Sequence, residues 1–152
     1  MARRPLVAGN WKMNKTPSET EAFLATFVGH VRDASAEILL IPAFPSLDRA
    51  HRLLAGTRIQ LGAQDVHSEP NGAYTGAVSG EMLRDVGCTY VLVGHSERRH
   101  VFGDDDERVH AKLEAALRSG LLPILCVGER LDARRAEATE EVVSKQLRTG
   151  MD

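Results

Sequence analysis

The sequence of 152 residues has two cysteines, almost no net charge and no long apolar run, and each scarcity removes a class of protein. Cys88 and Cys126 lie beside apolar residues without CxxC spacing. This argues against a disulfide framework or a zinc site and fits a reducing compartment. After the basic Ala2-Arg3-Arg4, the apolar stretch is only Pro5-Leu6-Val7-Ala8 before Gly9, Asn10 and Lys12. That is too short for a signal sequence or a membrane span, so a cytoplasmic location is expected. The formal charge of -2 comes from 19 basic and 21 acidic residues that are well mixed. No field favours nucleic acid or an anionic membrane, and neither is expected as a partner. None of the 6 histidines has an HxxxH spacing, so no metal is expected.

What is present reads as one globular domain over residues 1–152, with 43% hydrophobic and 26% charged residues. Unbroken apolar runs without polar alternation mark strands buried on both faces of a parallel sheet. They occur at Leu6 to Asn10, Ile38 to Ile41, Tyr90 to Gly94 and Leu122 to Glu129, with a weaker run at Ile59 to Gln64. Between them lie helical signals. Thr16-Pro17-Ser18-Glu19 is a capping box with proline at the first helical position, followed by Phe23, Leu24, Phe27, Val28 and Val31 at helical spacing. Shorter helices are expected over Leu47 to Leu54 and Ser79 to Val86. A longer one runs to Ser119 with Gly120 just past its end, and a charged one covers about Glu137 to Arg148. Strand and helix alternate with a repeat of about 30 residues, which implies βαβ units and a parallel sheet.

In parallel α/β folds the carboxyl ends of the strands gather the site. Here they deliver Asn10 and Lys12, Gln64, His95 with Ser96 and Glu97, and Glu129. His95 follows Gly94 at the end of a buried strand, with Ser96 as an N-cap and Glu97 in the first turn of a short helix. The positive helix end disfavours imidazolium, so a neutral His95 acting as a hydrogen-bond donor is expected. Taken singly, Lys12 reads as a solvated loop lysine, and His95 as readily structural as catalytic. Together, an ammonium, a neutral imidazole and a carboxamide on one face suit an anionic substrate with a polarised carbonyl. Asp104-Asp105-Asp106 reads as capping of the following helix in preference to a metal site, and Cys126 reads as small core packing. The long polar loop Asp65 to Gly76 carries the turn signal Asn71-Gly72.

Four segments then resemble the triosephosphate isomerase family in order and spacing. They are Ala8-Gly9-Asn10-Trp11-Lys12-Met13-Asn14, then Gly62-Ala63-Gln64-Asp65 with Gly72-Ala73-Tyr74-Thr75-Gly76, then Val93-Gly94-His95-Ser96-Glu97-Arg98-Arg99, and Pro123-Ile124-Leu125-Cys126-Val127-Gly128-Glu129. The resemblance implies a (β/α)8 TIM barrel, of which about five strands lie in these residues. It further implies interconversion of dihydroxyacetone phosphate and glyceraldehyde 3-phosphate through an enediolate, without a cofactor. Carried over by motif, Lys12 neutralises the phosphate and developing oxyanion with Asn10 beside it, and a neutral His95 donates to the carbonyl oxygens. Ser96 and Glu97 hold the histidine corner, and the loop around Thr75, with Gln64, meets a second subunit in a homodimer.

A barrel of this kind takes about 250 residues and eight strands, so the resemblance places strands six to eight, the general-base glutamate, its lid and the phosphate loops outside residues 1–152. The one Glu-Pro pair, Glu69-Pro70, follows the third strand and does not fit the base. An open five-strand sheet is expected to expose two edges and an apolar face, and so to associate or depend on a partner. Beside the enzyme, two alternatives stand: a non-catalytic folding or interaction module built from the same barrel piece, and another phosphate-handling α/β barrel enzyme.

Overall fold

The computed structural model describes residues 5–151. Strands β1 (Leu6–Asn10), β2 (Glu37–Ile41), β3 (Gln60–Ala63), β4 (Tyr90–Val93) and β5 (Leu122–Leu125) form one sheet, parallel throughout. Their order across the sheet is their order along the chain. Helices α1 (Pro17–His30), α2 (Leu47–Leu54), α3 (Gly80–Asp85), α4 (Ser96–His100), α5 (Asp106–Arg118), α6 (Leu131–Arg135) and α7 (Thr139–Met151) fill the intervals and follow β5.

The starts of the longer helices are fixed by local chemistry. Thr16 accepts from the Glu19 amide while the Glu19 carboxylate accepts from the Thr16 amide at 2.8 Å, completing the capping box that starts α1. Ser79 caps α3, and Asp105 caps α5 by accepting from the Arg108 amide at 2.8 Å. Gly120 follows α5 with φ +72, the left-handed position that ends a helix at little cost for glycine.

Both faces of the central strands are covered, which is why their sequences show no polar alternation. On one face Leu40, Leu61, Ala63, Val91 and Val93 pack with helix residues such as Leu24, Leu54, Leu83 and Val109. On the other, Leu39, Ile41 and Leu92 pack with Tyr90, Ile124 and Cys126. Each buried leucine contributes about 1.5–3 kcal/mol relative to exposure, so the better-filled helix face carries most of the stability. The edges are exposed as expected, with Val7 of β1 at 57% and Leu122 of β5 at 54%.

Most boundaries differ from the sequence expectation by a residue or two, and three departures are larger or touch the site. β5 stops at Leu125, short of Glu129, and past it a side chain takes up backbone hydrogen bonding. Gly128 donates to Gln146 Oε1 at 2.8 Å and accepts from Gln146 Nε2 at 3.2 Å, so a carboxamide from α7 occupies the peptide there. The short helix α6 was not anticipated. Its Asp132 in the first turn and Arg134 and Arg135 in the last suit the helix dipole, and Glu137 at φ +59 separates it from α7. At the histidine corner, His95 itself is the N-cap of α4 and Ser96 is its first residue.

Candidate functional site

The carboxyl ends of β1 and β4 bring two of the expected residues to one glutamate. Lys12 Nζ lies 2.8 Å from Glu97 Oε1, and Glu97 Oε2 lies 3.5 Å from His95 Nδ1. The pairing of Lys12 with Glu97 was not legible in the sequence, where Glu97 read as a support for the histidine alone.

The loop after β1 is held in a conformation that its residues do not prefer. Lys12 has φ +52, an uncommon state for a side-chain-bearing residue, which costs of order 1–3 kcal/mol and persists only when its surroundings fix it. Asn10 Oδ1 accepts from the Lys12 amide at 3.0 Å. Gln64 Nε2 donates to the Lys12 carbonyl at 2.8 Å and to the Ile41 carbonyl at 3.1 Å, so the end of β3 ties the Lys12 loop to β2. Trp11, behind Lys12, packs edge-on against Phe23 of α1 with ring centroids 5.2 Å apart.

At the β4 corner the Glu97 amide donates to His95 Nδ1 at 3.3 Å. A backbone amide can only donate, so Nδ1 is the acceptor and the ring proton sits on Nε2. This is the neutral tautomer that presents an N–H donor from its far edge. Glu97 is held ionised: the hydrogen bond from Lys12 is the main cause lowering its carboxyl below the usual range, with smaller help from the Lys12 charge. Ser96 heads α4 and is exposed.

Glu129 lies away from this pair. Its Oε1 accepts from Thr139 Oγ1 at 3.1 Å and from Arg134 at 3.2 Å. Its carboxyl is lowered, first by its own backbone amide and then by Thr139. A cavity of about 500 Å³ opens between the two corners, lined by Gly94, His95, Ser96, Arg99, Cys126 and Glu129. Another of about 420 Å³, at the opposite end of the sheet beside Ile38, Arg58 and Ile59, holds none of the strand-end residues. The first is the relevant one because His95 and Ser96, with Glu129, line it.

Asp104, Asp105 and Asp106 are each engaged, and only Asp105 caps α5. Asp106 pairs with Arg99 at 2.6 Å. Asp104 is buried and takes Lys112 at 2.6 Å and Arg98 at 3.2 Å. Asp65, at the root of the long loop, joins the same cluster through Lys112 at 2.8 Å and Arg98 at 3.2 Å. Thr75 is exposed in that loop. Among the described residues there is no group of three or more potential metal ligands, and no helix is long and apolar enough to cross a membrane.

Comparison with known proteins agrees with this geometry. The family model described as triosephosphate isomerase matches residues 5–152. Triosephosphate isomerase of Aquifex aeolicus is 50% identical over 149 residues, covering 97% of this chain and 60% of that protein. The enzyme of Symbiobacterium thermophilum is 49% identical over 151 residues, covering 99% and 59%. The crystal structure of triosephosphate isomerase from Bartonella henselae superposes with a TM-score of 0.94 at 39% identity, covering 99% of this chain and 62% of that one. The chain thus spans about 60% of the length of the curated relatives it matches. Its five parallel strands are part of a TIM barrel, and with a family match across nearly all of its residues the chain belongs to the triosephosphate isomerase family.

Proposed function

We propose that the complete protein carrying these residues interconverts dihydroxyacetone phosphate and D-glyceraldehyde 3-phosphate through an enediolate. The observation that carries the reading is that Lys12 and His95, from strands far apart in the chain, meet at Glu97 on one face: its carboxylate takes Lys12 and its amide donates to His95. Lys12 is the cation for the substrate phosphate and the developing oxyanion, and Asn10 fixes the turn that presents it. His95, protonated on Nε2, donates to the carbonyl oxygen as it gains charge. No cofactor is required, since the reaction moves protons within one carbon skeleton.

Proton abstraction needs a free carboxylate within reach of the substrate carbon. Glu97 is tied to Lys12, and Glu129 to Thr139 and Arg134; both carboxyls are pushed down, which weakens them as bases. The base is therefore assigned to a residue outside residues 1–152. Loss of a general base costs about 10²–10⁴-fold, so residues 1–152 alone should show only a trace of activity. The complete protein should lose most of its turnover on His95→Gln. Turnover near that of the complete protein from a mass-verified 152-residue preparation, abolished by Glu97→Gln or Glu129→Gln, would overturn the assignment of the base. It would also exclude the alternative of a non-catalytic module.

The same reading includes a homodimer formed through the loop carrying Thr75, with Gln64 at its root, and a cytoplasmic location. Both Gln64 amide protons are used within the chain, which leaves Oε1 as its contribution to a partner. Sedimentation of the complete protein tests the dimer.

A further inference from the structure

The mechanism uses the His95 ring and leaves open what aims it. His95 follows Gly94, whose φ of +72 places the preceding peptide in a region that only glycine enters freely. A glycine hinge before a catalytic side chain lets the peptide rotate unless something holds its carbonyl. Arg99 holds it. Its Nε donates to the Gly94 carbonyl at 2.9 Å, and its backbone amide donates to the His95 carbonyl at 3.0 Å. Those two carbonyls belong to the peptide planes on either side of the His95 Cα. The same guanidinium donates through Nη1 to Asp106 Oδ1 at 2.6 Å, at the first residue of α5. The Arg99 side chain is only 7% exposed, and a Cβ built on Gly94 would lie 3.0 Å from both Arg99 Nη2 and Val109 Cγ1.

We propose that Arg99 is the positioning residue for His95. Its guanidinium holds the peptide that enters the histidine and ties it to α5, while the helix bond from its backbone amide takes the peptide that leaves, so the imidazole keeps Nδ1 on the Glu97 amide and turns Nε2–H toward the substrate. The inference rests on the isomerase reading for its kinetic consequence and on geometry alone for its structural one. The simpler role for an Arg–Asp pair is to staple α4 to α5. That role predicts lost stability with an unmoved ring, and the two are separable.

The test uses Arg99→Lys and Asp106→Asn in the complete protein. An ammonium lacks the planar fork needed to span the Gly94 carbonyl and Asp106 together. Misplacement by about 1 Å can cost on the order of 10²-fold in rate, and a comparable fall in kcat is expected for Arg99→Lys. Phosphate affinity runs through Lys12, so the inhibition constant of inorganic phosphate should stay within about twofold. In nitrogen NMR without substrate, His95 should show a bare Nδ1 and a protonated Nε2 in the parent, and averaged ring signals in Arg99→Lys. Asp106→Asn keeps an oxygen acceptor and should move both readouts less in the same direction. It carries the test if Arg99→Lys does not fold.

Parent-like ring signals with a lowered melting temperature would overturn the proposal, as would a raised KM at unchanged kcat. An inactive parent protein whose His95 signals still shift on Arg99→Lys would sink the isomerase reading and leave the positioning role standing.

Discussion

Adjacent residues on α4 enter two ion-pair clusters with opposite characters. Glu97 turns toward solvent and meets Lys12, the two side chains 45% and 53% exposed. Arg98 turns into the protein and joins Asp65, Asp104 and Lys112, of which Asp104 and Lys112 are 4% and 9% exposed. Both clusters contain a lysine at under 3 Å from a carboxylate, so length does not distinguish them. Burial does. In water an ion pair is worth about 0–1 kcal/mol and exchanges partners readily, as a substrate-binding lysine must. Out of water, removing one partner strands a charge and costs about 3–5 kcal/mol. The inner cluster joins the start of the long loop to α4 and α5.

The largest expected effect comes from Lys112→Met, which leaves Asp65 and Asp104 with Arg98 alone. The complete protein should lose about 3–5 kcal/mol of stability in urea unfolding; a loss below about 1 kcal/mol would place the inner cluster with surface pairs. Lys12→Met should reverse that pattern. Its stability should change by no more than about 1 kcal/mol, while affinity for phosphate-bearing inhibitors falls at least about tenfold, near 1.4 kcal/mol. Unchanged inhibitor affinity would remove Lys12 from the site.

Acid titration separates the clusters further. Burial alone would raise the Asp104 carboxyl, but hydrogen bonds from Lys112 and Arg98, with their charges, outweigh it and the net direction is down from 3.8. A depressed carboxylate stabilises the fold above its unfolded value and loses that contribution as pH falls toward its folded one. The inner cluster's share should therefore be complete at neutral pH and decline below about pH 4. A stability curve for Lys112→Met parallel to the parent from pH 6 to pH 3 would count against this. The smallest effect is that of salt. At about 1 M the screening length is roughly 3 Å, so the Glu97 carboxyl, lowered by exposed Lys12, should move back up while Asp104 does not. Carbon NMR titrations at low and high salt read both groups.

The three central strands and most helices were legible because burial on two faces and capping chemistry both leave marks within a few residues, and the edge strands because their apolar runs recur at the same interval. The Thr16–Glu19 box is a local fact. Pairings across the chain leave no such mark. Lys112 lies 47 residues from Asp65, and a lysine on a helix with a polar side reads as solvated until the fold buries it. The family motif gives Glu97 as a support of the histidine corner, whereas its strongest partner enters from the loop after β1. The over-long β5 had a similar origin: apolar residues up to Val127 looked like strand, and the Gln146 carboxamide that replaces a strand neighbour lies in a helix 18 residues on.

The sheet order, identical to the chain order, bears on how the molecule comes to be made. Among these five, each strand after the first pairs with the one synthesised just before it, so β2 to β5 need no distant partner on the ribosome. Loop closure grows only logarithmically with length, and here each closure spans a single βα repeat. The entropic step is thus nearly the same at every addition. Growth can proceed from the amino terminus unit by unit, with one edge always ready for the strand that emerges next.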